Sequence, residues 1–165
     1  MKTRTGRLNT CVYTGELFEK EVAGQCLWIS DDYVPFKKAM AIVKESQPGD
    51  PSDPSSLVMN DLQALICESL GEEDYSQVKI YTAVGSSLDR WHGIDVFVQW
   101  REISFVTIDL TVNVRKDEHK ADIILHDTDV YTADGKVNRK RLDEIAHDMA
   151  RLMKCRMPRQ LVTVR

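Results

Sequence analysis

Long apolar runs are missing from this 165-residue sequence: no stretch approaches the ~20 residues of a membrane-spanning helix, and the opening MKTRTGRLNT lacks the apolar segment of a secretory signal. The expectation is a chain with no membrane partner, working in the cytoplasm. Cysteine is sparse. Cys11, Cys26, Cys67 and Cys155 are widely scattered, without a CxxC pair or a His/Cys spacing suited to tetrahedral zinc, so they read as reduced thiols. Two phosphate- and cation-binding signatures are absent as well. AVGSSLD has no GK[ST] to complete a phosphate loop. HDTDVYTADG lacks the spacing and terminal glutamate of an EF-hand, which leaves Asp127, Asp129 and Asp134 as turn residues.

What is present is an ordinary globular balance, 42% hydrophobic and 29% charged, at a length that fits one domain spanning 1–165. The net charge of −4 is unevenly spread. From Lys136 to Arg165 nine Lys/Arg face three acids, a surplus of +6 that leaves −10 for the first 135 residues. A basic end on an acidic body suits a phosphate-facing surface as well as a solvated helix, with Arg139, Lys140 and Arg141 the densest cationic group.

Residues 1–54 read as an N-terminal extension. VYTGELFEKEVAGQCLWI is ambiguous between short strands and a helical turn, Phe36, Met40 and Val43 behind Pro35 make a short amphipathic helix, and SQPGDPSDPSS is a mobile proline-rich loop. Residues 55–155 read as the core. LVMNDLQALICESL is a helix capped by Ser55 or Ser56 and stopped by Gly71, with Asp61 and Glu68 on the flank of its apolar face. VKIYTAV is a strand, GSSLDRWHG a connection, and KADIILH a later strand. Asn138 caps a final helix whose apolar stripe runs from Leu142 to Met153, Pro158 ends it, and QLVTV can add an edge strand. The fold class is α/β (α+β), a central mixed sheet flanked by helices.

Between these elements, DVFVQW and VTIDLT each place one aspartate, Asp95 and Asp109, inside an apolar run, where an ionised carboxylate is expensive unless paired or coordinated. Whether the two meet depends on the turn between them. A three-residue turn with Trp100 opposite Ser104 puts Asp95 across from Asp109; a two-residue turn at Arg101 and Glu102 sends them to opposite faces. If they meet, their repulsion is relieved by a hard divalent cation.

Asp95 on one strand and IDLT on the next, with a helix bearing Glu68 before them and a strand and basic helix after, resemble the PD-(D/E)XK nuclease superfamily, whose restriction-endonuclease-like core runs helix, three antiparallel strands, helix, strand. The resemblance covers roughly residues 55–155. It implies metal-dependent hydrolysis of nucleic acid, with DNA as the expected substrate and Mg²⁺ or Mn²⁺ held by Asp95, Asp109, the carbonyl of Leu110 and a helix carboxylate, Glu68 first and Asp61 second. The family's lysine two residues after the second acid is Thr111 here, so Lys116 or Lys120 is the expected substitute. The alternative is a catalytically inactive relative, a nucleic-acid-binding or protein-interaction module of a phage or mobile element, alone, as a homodimer or in a larger assembly. His92 reads as structural before functional, and Trp91 and Trp100 as core-rim residues able to stack on bases.

Overall fold

A computed structural model describes residues 13–113, 115 and 120–159. One π-helical turn, Tyr13–Leu17, leads into α1 (Phe18–Ala23), followed by α2 (Phe36–Glu45) and α3 (Leu57–Leu70). After a 3₁₀ turn come β1 (Val78–Thr82), α4 (Ser87–His92), β2 (Val96–Trp100), β3 (Ser104–Thr111), β4 (Ile123–His126), α5 (Asp127–Val130) and α6 (Arg139–Arg156). The sheet is mixed, in the order β1-β2-β3-β4, with the first three strands antiparallel and β4 parallel to β3. The expected α/β class with a mixed sheet is the observed one. Two segments differ from expectation: GSSLDRWHG contains α4 rather than a plain connection, and the ambiguous N-terminal stretch contains α1. Among the described residues no helix stands between β3 and β4. Lys116, His119, Cys11 and the QLVTV segment lie outside the described residues.

The helices form where caps and apolar spacing coincide. Ser56 Oγ accepts from Met59 N at 3.3 Å to open α3, and Gly71, at φ 68°, closes it in the left-handed conformation that a residue with a Cβ resists. Asn138 Oδ1 takes Arg141 N at 3.2 Å to open α6. Leu62 and Ile66 of α3 meet Leu142, Met149 and Met153 of α6 over Val96, Val98, Ile108 and Leu110, all in one core. Each such fully buried side chain contributes about 1.5–3 kcal/mol. The opposite face of the sheet is covered by α2 and α4, through Ala39, Val43 and Leu88 against Tyr81 and Phe97, whose rings stack at 4.8 Å.

The proline-rich loop is fixed rather than mobile. Its residues supply partners to the outer edge of β1, which has no neighbouring strand among the described residues: Ile80 N donates to the Pro51 carbonyl at 2.8 Å, and the Gln47 amide exchanges two hydrogen bonds of 2.9 Å with Thr82. Prolines cannot join a ladder as donors, but their carbonyls and a side-chain amide cover an exposed edge.

The turn between β2 and β3 is the three-residue form, Arg101–Ile103, with Trp100 opposite Ser104. It reaches that form without glycine: Arg101 and Glu102 both adopt positive φ, 51° and 59°. Such angles strain L-residues. Arg101 is held by Glu72, Nε to Oε2 at 2.8 Å, and lies over the Trp100 ring; Glu102 meets Lys79 at the surface, 3.0 Å. Adjacent substitutions are therefore expected to act in opposite directions. Glu102→Gly should raise the thermal midpoint by roughly 2–4 °C, whereas Arg101→Gly should lower it by stripping the buried Glu72 of its cation. Calorimetric melting of the two variants checks both signs.

Candidate metal centre

The β2–β3 ladder stops at Val96, opposite Ile108, and the chain then bends. Asp95 N donates to the same Ile108 carbonyl at 2.9 Å, so Asp95 and Val96 stand together against one residue, as in a bulge. The next amide of β3 that would seek β2, Leu110 N, is taken by the Asp95 carboxylate, Oδ2 at 2.7 Å. The three-residue turn thus brings the two aspartates to one place, but Asp95 lies just outside the ladder rather than directly opposite Asp109.

Both aspartates are buried, Asp95 3% and Asp109 5% exposed, and both line a cleft of about 240 Å³. Two further carboxylates line it, Glu19 from α1 and Asp89 from the first turn of α4. One carboxylate oxygen from each of Glu19, Asp89 and Asp95 lies within 4.8 Å of the others. Local chemistry aims Asp89. Ser86 Oγ caps α4 by accepting Leu88 N at 3.2 Å, and Asp89 Oδ2 accepts Gly85 N at 2.8 Å. Gly85 is required there: its φ is 86°, and a Cβ would meet the Ile29 side chain at 2.8 Å. Glu19 is aimed by its neighbours, because Phe18 and Val22 of the same short helix are buried in the main core.

Burial, then the charges of Asp89 and Glu19, push the Asp95 carboxyl up to about 9, against which the Leu110 amide is a smaller opposing effect; Asp89 also hydrogen-bonds it. Asp95 is thus protonated at neutral pH when no cation is present. The side-chain donors of the cleft, the four carboxylates and the Thr111 hydroxyl, are all oxygens, and Glu19, Asp89 and Asp95 are grouped closely enough to hold a metal ion.

The other residues expected at the site are placed differently. Leu110 lines the cleft with its amide committed to Asp95, and Thr111 lines it where the resemblance calls for lysine. Glu68 does not reach it: Glu72, one turn beyond, bonds the Trp100 indole at 3.0 Å, so this end of α3 lies at the far end of β2 from Asp95. Asp61 lies within 3.9 Å of Arg139 instead. Lys120 Nζ reaches the Trp91 carbonyl at 3.2 Å, at the end of α4 and two residues from Gly93 of the cleft wall. Of the cationic trio, Arg139 is opposed by Asp61, and Arg141 by Asp129 at 2.7 Å and Glu144 at 2.9 Å; Lys140 is exposed. Among the described residues no helix is long and apolar enough to cross a membrane.

Glu19 and Asp89 went unrecognised in the sequence. Asp89 carries a signal, the S-x-x-D spacing of Ser86 and Asp89 ahead of Gly93, which marks a helix start and stop. Glu19 has only the Phe18/Val22 pair beside it, too short a period to orient a helix. Comparison with protein-family models, curated proteins and solved structures finds no match for this chain.

A carboxyl raised in the folded state stabilises the fold fully below its unfolded value, near 4, and loses that contribution as pH climbs toward 9. The cation-free protein should therefore lose stability across pH 4–9, at up to about 1.4 kcal/mol per pH unit from this group. Asp95→Asn, able to accept Leu110 N and donate to Asp89, should flatten that slope and raise stability above neutral pH. Urea unfolding in chelator at several pH values measures both; an unchanged slope in the variant would place the titration elsewhere.

Proposed function

We propose that this protein is a metal-dependent nuclease that hydrolyses phosphodiester bonds of DNA, with Glu19, Asp89, Asp95 and Asp109 as the residues that hold Mg²⁺ or Mn²⁺. The observation that carries the reading is the buried carboxylate group opening onto one cleft. Even with Asp95 protonated, the cation-free cleft is acidic, and a bound cation makes it better suited to an anionic substrate. The bound cation would lower the pKa of a coordinated water and neutralise charge on the phosphate. The protein's part is to fix the carboxylates: the Leu110 amide orients Asp95, the Gly85 amide orients Asp89, and two buried apolar side chains anchor Glu19.

One observation favours a second reading, a nuclease-like fold without catalysis that binds nucleic acid or protein. Thr111 lines the cleft where the resemblance expects a lysine, and the Lys120 ammonium is engaged by a backbone carbonyl. Titration calorimetry and cleavage assays separate the two. The wild type should bind Mg²⁺ or Mn²⁺ and nick plasmid DNA. Asp109→Asn and Glu19→Gln should each weaken cation binding and reduce cleavage at least tenfold, whereas Glu68→Gln, at the other end of the sheet, should leave both unchanged. Cation binding without cleavage of DNA or RNA would support the non-catalytic reading; absence of cation binding would remove the metal centre altogether.

A further inference from the structure

Among the described residues Leu27, Ile29, Tyr33 and Trp91 are large exposed hydrophobics, and Trp91 belongs to α4, the helix that lends Asp89 to the cleft. The last two are rings standing at the surface, Tyr33 60% and Trp91 48% exposed, edge to face with centroids 5.7 Å apart. They are not loose. Trp91 Nε1 donates to the Asp31 carbonyl at 2.8 Å, His92 Nε2 pairs with the Val34 carbonyl at 2.8 Å, and Val34 N donates to Ser87 Oγ at 3.0 Å. His92 lies between Tyr33 and Phe36, with ring centroids 5.7 and 5.6 Å away, which gives it a structural task. The segment before α2 is thus clipped along α4, the helix whose first turn carries Asp89.

Rigid exposed rings lose little entropy on binding, and every nucleobase offers a π-face. Cations stand near the rings. Exposed Lys37 and Lys38 follow Phe36 in the first turn of α2, and Lys120 reaches the Trp91 carbonyl, whereas Arg90 is taken by Asp31 at 2.8 Å, with Asp32 and Asp89 the other acids of these segments. Asp89 of the cleft and Trp91 of the ring pair share one six-residue helix, about 9 Å long. In a duplex the base faces are covered by their neighbours; only an unpaired base can lie on a ring.

We propose that Tyr33 and Trp91 form a stacking platform for unpaired bases, so that the strand presented to the cleft is single-stranded. This rests on the nuclease reading for its biological sense but not for its test. In chelator, where no cleavage runs, a fluorescein-labelled oligothymidylate should bind the full chain more tightly than the same strand annealed to oligodeoxyadenylate. Trp91→Ala and Tyr33→Ala should each weaken single-strand binding by about tenfold or more, and Trp91→Phe, which keeps a ring, should retain most of it. Unchanged single-strand affinity in the alanine variants, or a wild type that prefers duplex or binds no strand at low salt, would overturn the platform and leave the patch as a contact for another protein. Intact strand binding without Mg²⁺-dependent cleavage would sink only the nuclease reading; cleavage with unaltered strand binding in both alanine variants would sink only the platform.

Discussion

Everything at the acidic cleft depends on how the β2–β3 ladder ends. Antiparallel pairing continues as long as each inward amide finds a carbonyl, and at Leu110 it finds the Asp95 carboxylate instead. That one substitution of a side chain for a strand has two consequences. It stops β2 and lets the chain turn back through Ile94 and Gly93 to α4, and it buries a carboxyl group where water cannot solvate its charge. Bulges at strand ends re-aim side chains in this way, and here the re-aimed group is drawn toward Asp89 and Glu19.

The electrostatics of the molecule follow from that burial. Asp95 and Asp89 are held by backbone amides, whereas several acids elsewhere meet arginines: Asp61 with Arg139, Asp129 and Glu144 with Arg141, and Asp122 with Arg156. The Arg156 pair is bidentate, 2.7 and 2.8 Å, and Asp122 also accepts Thr107 N, so it fastens the start of β4 to the end of α6. Among the described cations of this basic segment, Arg139, Arg141, Lys154 and Arg156 tie α6 to the body. A charge count along the sequence records how many cations there are, not which of them a neighbouring acid has already engaged.

The same distinction separates what the sequence disclosed from what it did not. Helices α3 and α6 were legible because caps and long apolar stripes agree, and β2 and β3 because β-branched alternation is unbroken. The turn is legible only as two alternatives, since its glycine is missing and the residue that holds Arg101 at positive φ, Glu72, is distant in sequence. Glu68 attracted attention because it lies on a readable helix; helix identity fixes a residue's face but not the level at which the helix crosses the sheet. The proline loop looked mobile for a related reason: composition reports what a loop cannot donate, and the carbonyls by which it covers β1 are common to all residues.

The N-terminal segment is where local reading and three-dimensional organisation diverge most. Read alone, residues 1–54 are an extension. In the fold, Phe18 and Val22 belong to the main core, Ser56 at the start of α3 donates to the Val22 carbonyl, and Glu19 stands at the cleft. The cleft thus draws its carboxylates from three separated stretches: α1, the α4–β2 bend and β3. Bringing α1 to the end of the sheet closes a loop of many residues, an entropic cost that grows only slowly with length and is offset by burying two large apolar side chains. Without α1 the cleft would lose one of its carboxylates and the main core the two side chains, Phe18 and Val22, that hold it in place.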